Sequence, residues 1–160
     1  MLRSRFGFLA ALAFLTAAST ALALDPQPGK QIAASLEVPA AEGDGKATLH
    51  FLLFAPANHA EKEKLPLLIF LHGAGERGSD LQKVKFHGPP KIVESKPDFP
   101  FVVVSPQCPA GSRWHPNQIV SLIDQVVADP NLKIDPDQVH LTGLSMGGYG
   151  SWAVAAQIPE

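Results

Sequence analysis

Apolar and polar residues follow two rhythms along this chain, and each rhythm predicts a different kind of element. In residues 48–54 they alternate, which puts Leu49, Phe51 and Leu53 on one face of a strand. Residues 31–38 read as its partner, and Glu42-Gly43-Asp44-Gly45 between the two is a hairpin signal, so an antiparallel edge is expected. Residues 65–71, Leu-Pro-Leu-Leu-Ile-Phe-Leu, and residues 101–105 are continuously apolar instead. A strand needs that pattern when both of its faces are covered, as in a parallel sheet. Ile119, Leu122, Ile123, Val126 and Val127 recur at helical spacing within residues 118–129, which predicts an amphipathic crossover helix.

Between these segments, residues 24–30 read as a linker and residues 57–64 as a charged loop. Residues 80–85 and 91–96 are short helical candidates separated by Gly88-Pro89-Pro90, and Asp135-Pro136-Asp137 is a turn that feeds a strand ending near Thr142. Strands and helices alternate throughout, so the expected fold class is α/β: a mostly parallel sheet with helices on both faces.

Residues 1–23 stand apart from this pattern. Met1-Leu2-Arg3-Ser4-Arg5 is a positive start, residues 6–18 are apolar, and Ala21-Leu22-Ala23 fits a small-x-small cleavage site. That is the form of a secretory signal peptide, and the apolar run is short for a membrane span. The expected mature domain is therefore residues 24–160, secreted or periplasmic and without a membrane anchor. Loss of Arg3 and Arg5 leaves 11 of the 13 basic residues against 15 acidic ones, a net charge of −4. Such a balance gives no reason to expect nucleic acid as a partner. Cys108 is the one cysteine, so no disulfide can form within the chain.

The candidate chemistry centres on Gly143-Leu144-Ser145-Met146-Gly147-Gly148. A strand-forming run precedes it and Trp152-Ala153-Val154-Ala155-Ala156, compatible with a helix, follows. A Gly-x-Ser-x-Gly turn between strand and helix lifts its serine above the sheet, and the glycines remove side chains that would collide with the neighbouring elements. Ser145 is thus the candidate nucleophile; the plain alternative is a glycine-rich turn with an ordinary serine.

His72-Gly73-Ala74-Gly75-Glu76-Arg77-Gly78 directly follows the apolar strand at 65–71. A glycine-rich loop there can turn a backbone N–H toward the nucleophile, so the N–H groups of Ala74 and Met146 are the candidate oxyanion donors. Glu76 and Arg77 either hold this loop or are solvated, and His72 is more readily structural than catalytic. Trp114 leaves the carboxyl end of the 101–105 strand, where open α/β sheets bind ligands, and either lines a substrate pocket or caps the core. No two of the six histidines, at 50, 59, 72, 87, 115 and 140, have the spacing of a metal-ligand pair.

With Ser105-Pro106-Gln107-Cys108-Pro109, these motifs make residues 48–157 resemble the α/β-hydrolase superfamily. The resemblance is to secreted esterases and peptidase-like proteins related to phospholipase/carboxylesterases, dienelactone hydrolases and polyhydroxybutyrate depolymerase-like esterases. It implies hydrolysis of carboxylic esters through an acyl-enzyme on Ser145, with no metal or cofactor and a small-molecule, polysaccharide or polyester substrate. In this fold the triad acid and histidine follow the serine in the chain. Here no histidine follows Ser145, and Glu160 is the sole acid that does. The expectation is an amino-terminal part of the domain, short by two or three βαβ units of about 30 residues each, and almost inactive by itself. A serine peptidase of the same fold and a non-catalytic relative are the alternative functions.

Overall fold

A computed structural model describes residues 23–158. The expected signal peptide falls almost wholly outside them. Five strands form one mixed sheet: β1 (Gln31–Pro39), β2 (Lys46–Phe54), β3 (Leu65–Leu71), β4 (Val102–Pro106) and β5 (Ile134–Gly143). Their order is β1-β2-β4-β3-β5. The pair β1 and β2 is antiparallel, as the hairpin signal predicts, and β2 also runs antiparallel to β4. The pairings of β3 with β4 and with β5 are parallel, so four of the five strands point the same way.

The continuous apolar runs are buried on both faces. Leu67, Ile69 and Leu71 of β3 join Val102 and Val104 of β4 in the main core, beneath α2 (Pro116–Ala128). Ile119, Leu122 and Val126 of that helix are buried, in agreement with its spacing. On the opposite face Val103, Phe54 and Val93 form a second cluster. There α1 (Gly88–Ile92) lies over β3 and β4. Helices thus cover both faces.

Three local expectations are corrected. Gly88-Pro89-Pro90 does not separate two helices but opens α1, because a proline in the first helical turn gives up an N–H that would have no partner there. The 3-10 helix Leu81–Phe86 precedes it, capped by the Asp80 carboxylate, which accepts from the Gln82 N–H at 2.9 Å. Asp135-Pro136-Asp137 is not a turn outside the strand but lies inside β5, where the register jumps from Leu65↔Ile134 to Leu67↔Val139. The residue between them on β3 is Pro66, which has no N–H to offer to the ladder. Finally, α3 (Met146–Ala155) starts directly after Ser145, through glycines that carry little helical signal.

Candidate active site

Ser145 stands at the junction of β5 and α3, in an exposed position and with a backbone of φ 52°, ψ −111°. A non-glycine residue in that region carries strain of about 1–3 kcal/mol, held in place only because the surroundings fix it. The fixing contacts are visible. The Leu144 N–H donates to the Leu71 carbonyl at 3.0 Å, and the Gly147 N–H donates to the Leu144 carbonyl at 2.8 Å. A Cβ on Gly147 would sit 1.8 Å from the Leu71 oxygen, and one on Gly143 would sit 2.2 Å from the Gly147 carbonyl carbon. The two glycines of Gly-x-Ser-x-Gly are therefore demanded by backbone packing of α3 on the ends of β3 and β5. Among the described residues β5 is the last strand of the sheet order, so the elbow lies at its edge rather than centrally.

The loop after β3 comes to the elbow. A Cβ on Gly73 would lie 3.5 Å from the Leu144 oxygen and 3.8 Å from Ser145 Cβ. Neither the Ala74 nor the Met146 N–H donates to a protein acceptor among the described residues. Both amides are thus free to serve an oxyanion.

A second loop, after β4, clamps the first. The Arg77 guanidinium donates from Nε to the Ala74 carbonyl and from Nη1 to the Ser112 carbonyl, both at 3.0 Å. The Gly78 N–H donates to the Cys108 carbonyl at 2.9 Å, and the Gln107 amide donates to the Glu76 carbonyl. Arg77 therefore holds the loop, as one of its two readings expects. Glu76 is buried, with its carboxylate 3.6 Å from His87 Nε2 and 4.0 Å from His72 Nδ1.

His72 is structural. Its Nδ1 donates to the Gly73 carbonyl at 2.7 Å, and its Nε2 accepts from the Cys108 N–H at 3.0 Å. An imidazole that accepts through Nε2 is held neutral, and burial pushes its pKa below the ordinary 6.5. Trp114 belongs to the core, as one of its two readings expects. Its indole N–H donates to the His72 carbonyl at 3.1 Å and its ring meets the imidazole edge-on at 4.8 Å. It also lines a cavity of about 520 Å³ with Met146, Tyr149, Gly150, Arg113 and His115. A Cβ on Gly150 would lie 2.8 Å from Trp114 Cβ, so the missing side chain lets the tryptophan pack flush on α3.

No hydrogen bond joins the Ser145 hydroxyl to any side chain among the described residues. His59 meets the Leu132 carbonyl, His140 packs on Phe101 and His87 faces the Glu76 carboxylate. Among the described residues no three His, Cys, Asp or Glu side chains gather as a metal site, and no helix is long and apolar enough to cross a membrane.

No family model and no curated protein matches the chain. Solved structures do. It is similar to a thermostable esterase, with 28% identity over 78% of this chain and 38% of that one and a TM-score of 0.55. The chain has the fold of the α/β-hydrolase superfamily. The same hydrolase fold is shared with a bacterial heroin esterase, at 21% identity over 79% of this chain and 39% of that one and a TM-score of 0.57. It is shared too with a fungal esterase of Rhizomucor miehei, at 22% identity over 82% and 40% and a TM-score of 0.55. The chain spans 38% to 40% of the length of these three proteins. Its strained serine occupies the strand-to-helix turn that a nucleophile of this fold requires.

Proposed function

We propose that the protein is a secreted serine hydrolase that cleaves carboxylic esters through an acyl-enzyme on Ser145. The observation that carries this reading is the positive φ of Ser145 between β5 and α3, with Gly73 against it. Strain of this kind persists where a function uses it. Similarity to three esterases supports the choice of ester over other acyl substrates.

In the reaction, Ser145 Oγ bonds to the acyl carbon as its proton passes to a base. The carbonyl oxygen takes up negative charge and accepts hydrogen bonds from the Ala74 and Met146 N–H groups. Collapse breaks the bond to the alcohol, which leaves with the proton, and water then releases the acid by the same route in reverse. Among the described residues no side chain bonds the Ser145 hydroxyl, so the base is left unassigned. The signal-like residues 1–23 support export, and the three motifs support kinship with the secreted esterase group.

The test compares a p-nitrophenyl ester with a peptide p-nitroanilide on the full-length protein and on Ser145→Ala. Ester turnover that vanishes in the variant supports the reading. Turnover of the anilide alone, or ester turnover that survives the variant, contradicts it.

A further inference from the structure

We propose that the cavity beside the nucleophile selects ligands that carry a carboxylate on an apolar body, with Arg113 as the recognising charge. The proposal rests on the hydrolase reading only in taking that ligand to be one half of the ester substrate. Ser145 itself does not line the cavity, but Met146, the next residue, does, together with Tyr149 and Gly150 of α3. Its far side is formed by Arg113, Trp114 and His115 from the loop after β4.

Three observations decide its chemistry. Among the described residues no acidic side chain lines the cavity, while Arg113 and His115 do, so the charge they bring to its wall is positive. The Arg113 guanidinium makes no ion pair and no side-chain hydrogen bond among the described residues, in contrast to Arg77, whose guanidinium is spent on two carbonyls. The third is the wall itself. Trp114 and Met146 give it an apolar surface, and Tyr149, 81% exposed, presents a flat ring at its rim.

The Arg113 guanidinium is exposed at this wall, so it attracts a carboxylate through a partly solvated, salt-sensitive contact. Its planar fork matches the two carboxylate oxygens, and an aromatic floor suits a flat or aliphatic body behind them. A cationic ligand meets repulsion instead. The cavity is half open to solvent, and its volume of about 520 Å³ is enough for a small molecule.

The experiment is a calorimetric titration of the full chain with 3-phenylpropanoate and with its neutral isostere, 3-phenylpropanamide. The expected result is carboxylate binding about fivefold tighter than amide binding, a preference lost in Arg113→Gln and reduced in Arg113→Lys. It should also shrink as salt rises. Arg113 is exposed and its guanidinium makes no ion pair among the described residues, so these variants should fold as the parent does. Equal affinities, binding of neither probe, or a preference that survives Arg113→Gln would overturn the proposal. A fluorophosphonate labelling of the same sample separates this from the hydrolase reading. Labelling of Ser145 without a carboxylate preference removes the cavity proposal alone, and a preference without labelling removes the hydrolase reading alone.

Discussion

Gly73 lies against Ser145: a Cβ on the glycine would be 3.8 Å from the serine Cβ, which is ordinary van der Waals contact. The loop leaving β3 and the turn leaving β5 therefore meet although they are far apart in sequence. The parallel pairing of the two strands brings both of their carboxyl ends to one edge of the sheet. Everything proposed for the site depends on that meeting.

Two glycines of the site should fail in different ways. Gly147→Ala forces a methyl to within 1.8 Å of the Leu71 oxygen, a backbone atom that cannot turn aside. We expect a loss of about 3 kcal/mol or more, read as a lower urea midpoint, because α3 must part from β3. Gly73→Ala has an ordinary φ of −77° and meets first the Glu76 carboxylate at 3.1 Å, which can shift. Its stability should stay close to that of the parent while ester turnover falls. Equal destabilisation by both would mean that the loop is as tightly packed as the elbow.

Arg77 acts as a positioning residue for the Ala74 peptide. Arg77→Ala removes the hydrogen bonds to the Ala74 and Ser112 carbonyls and frees the loop. A displacement of about 1 Å at such a donor can cost up to about 100-fold in rate, so kcat should drop by about 10- to 100-fold with KM little changed. Arg77→Lys should not restore it, since a single ammonium cannot span two carbonyls as a fork does. A change confined to KM would assign Arg77 to substrate binding instead.

His72 makes stability depend on pH in a defined direction. Burial lowers its folded pKa below 6.5, so the unfolded chain binds the extra proton first as pH falls. Its contribution is complete above pH 6.5 and is lost as pH drops through the folded value. The groups facing it are Glu76, Arg77 and Trp114. The thermal midpoint of the parent should fall more steeply between pH 7.5 and 5 than that of His72→Gln. Parallel curves would show that the imidazole is not held neutral.

Cys108 should be inert in the folded protein. It is 1% exposed, and burial pushes its thiol up to about 11, so almost no thiolate exists near pH 8. A thiol-disulfide reagent should label it only after unfolding in urea. Rapid labelling of the native chain would mean that the clamp between the two loops opens readily.

Much of this was legible in the sequence wherever period and burial coincide. The continuous apolar runs of β3 and β4, the alternation of β2 and the 3-4-7 spacing of α2 each state which faces are covered. Gly143-Leu144-Ser145-Met146-Gly147 reads as an elbow because the backbone packing that excludes Cβ atoms leaves a sequence trace. Pro89 and Pro90 mislead because the same residue ends a helix interior and opens a first turn. The clamp is illegible for another reason. Arg77 and Ser112 are 35 residues apart, and the acceptors are backbone carbonyls that every residue carries. Buried Glu76 gives no sign either, since Glu-Arg in a loop is also what a solvated surface looks like.

The central claim is that Ser145 is a nucleophile, and covalent capture tests it most directly. A fluorophosphonate reacts with a serine whose proton a base can take and ignores ordinary hydroxyls. With the full-length protein, we expect stoichiometric labelling mapped by peptide mass spectrometry to Ser145, absent in Ser145→Ala. Labelling at another residue, or a full-length protein that hydrolyses esters while Ser145 stays unlabelled, would contradict the account.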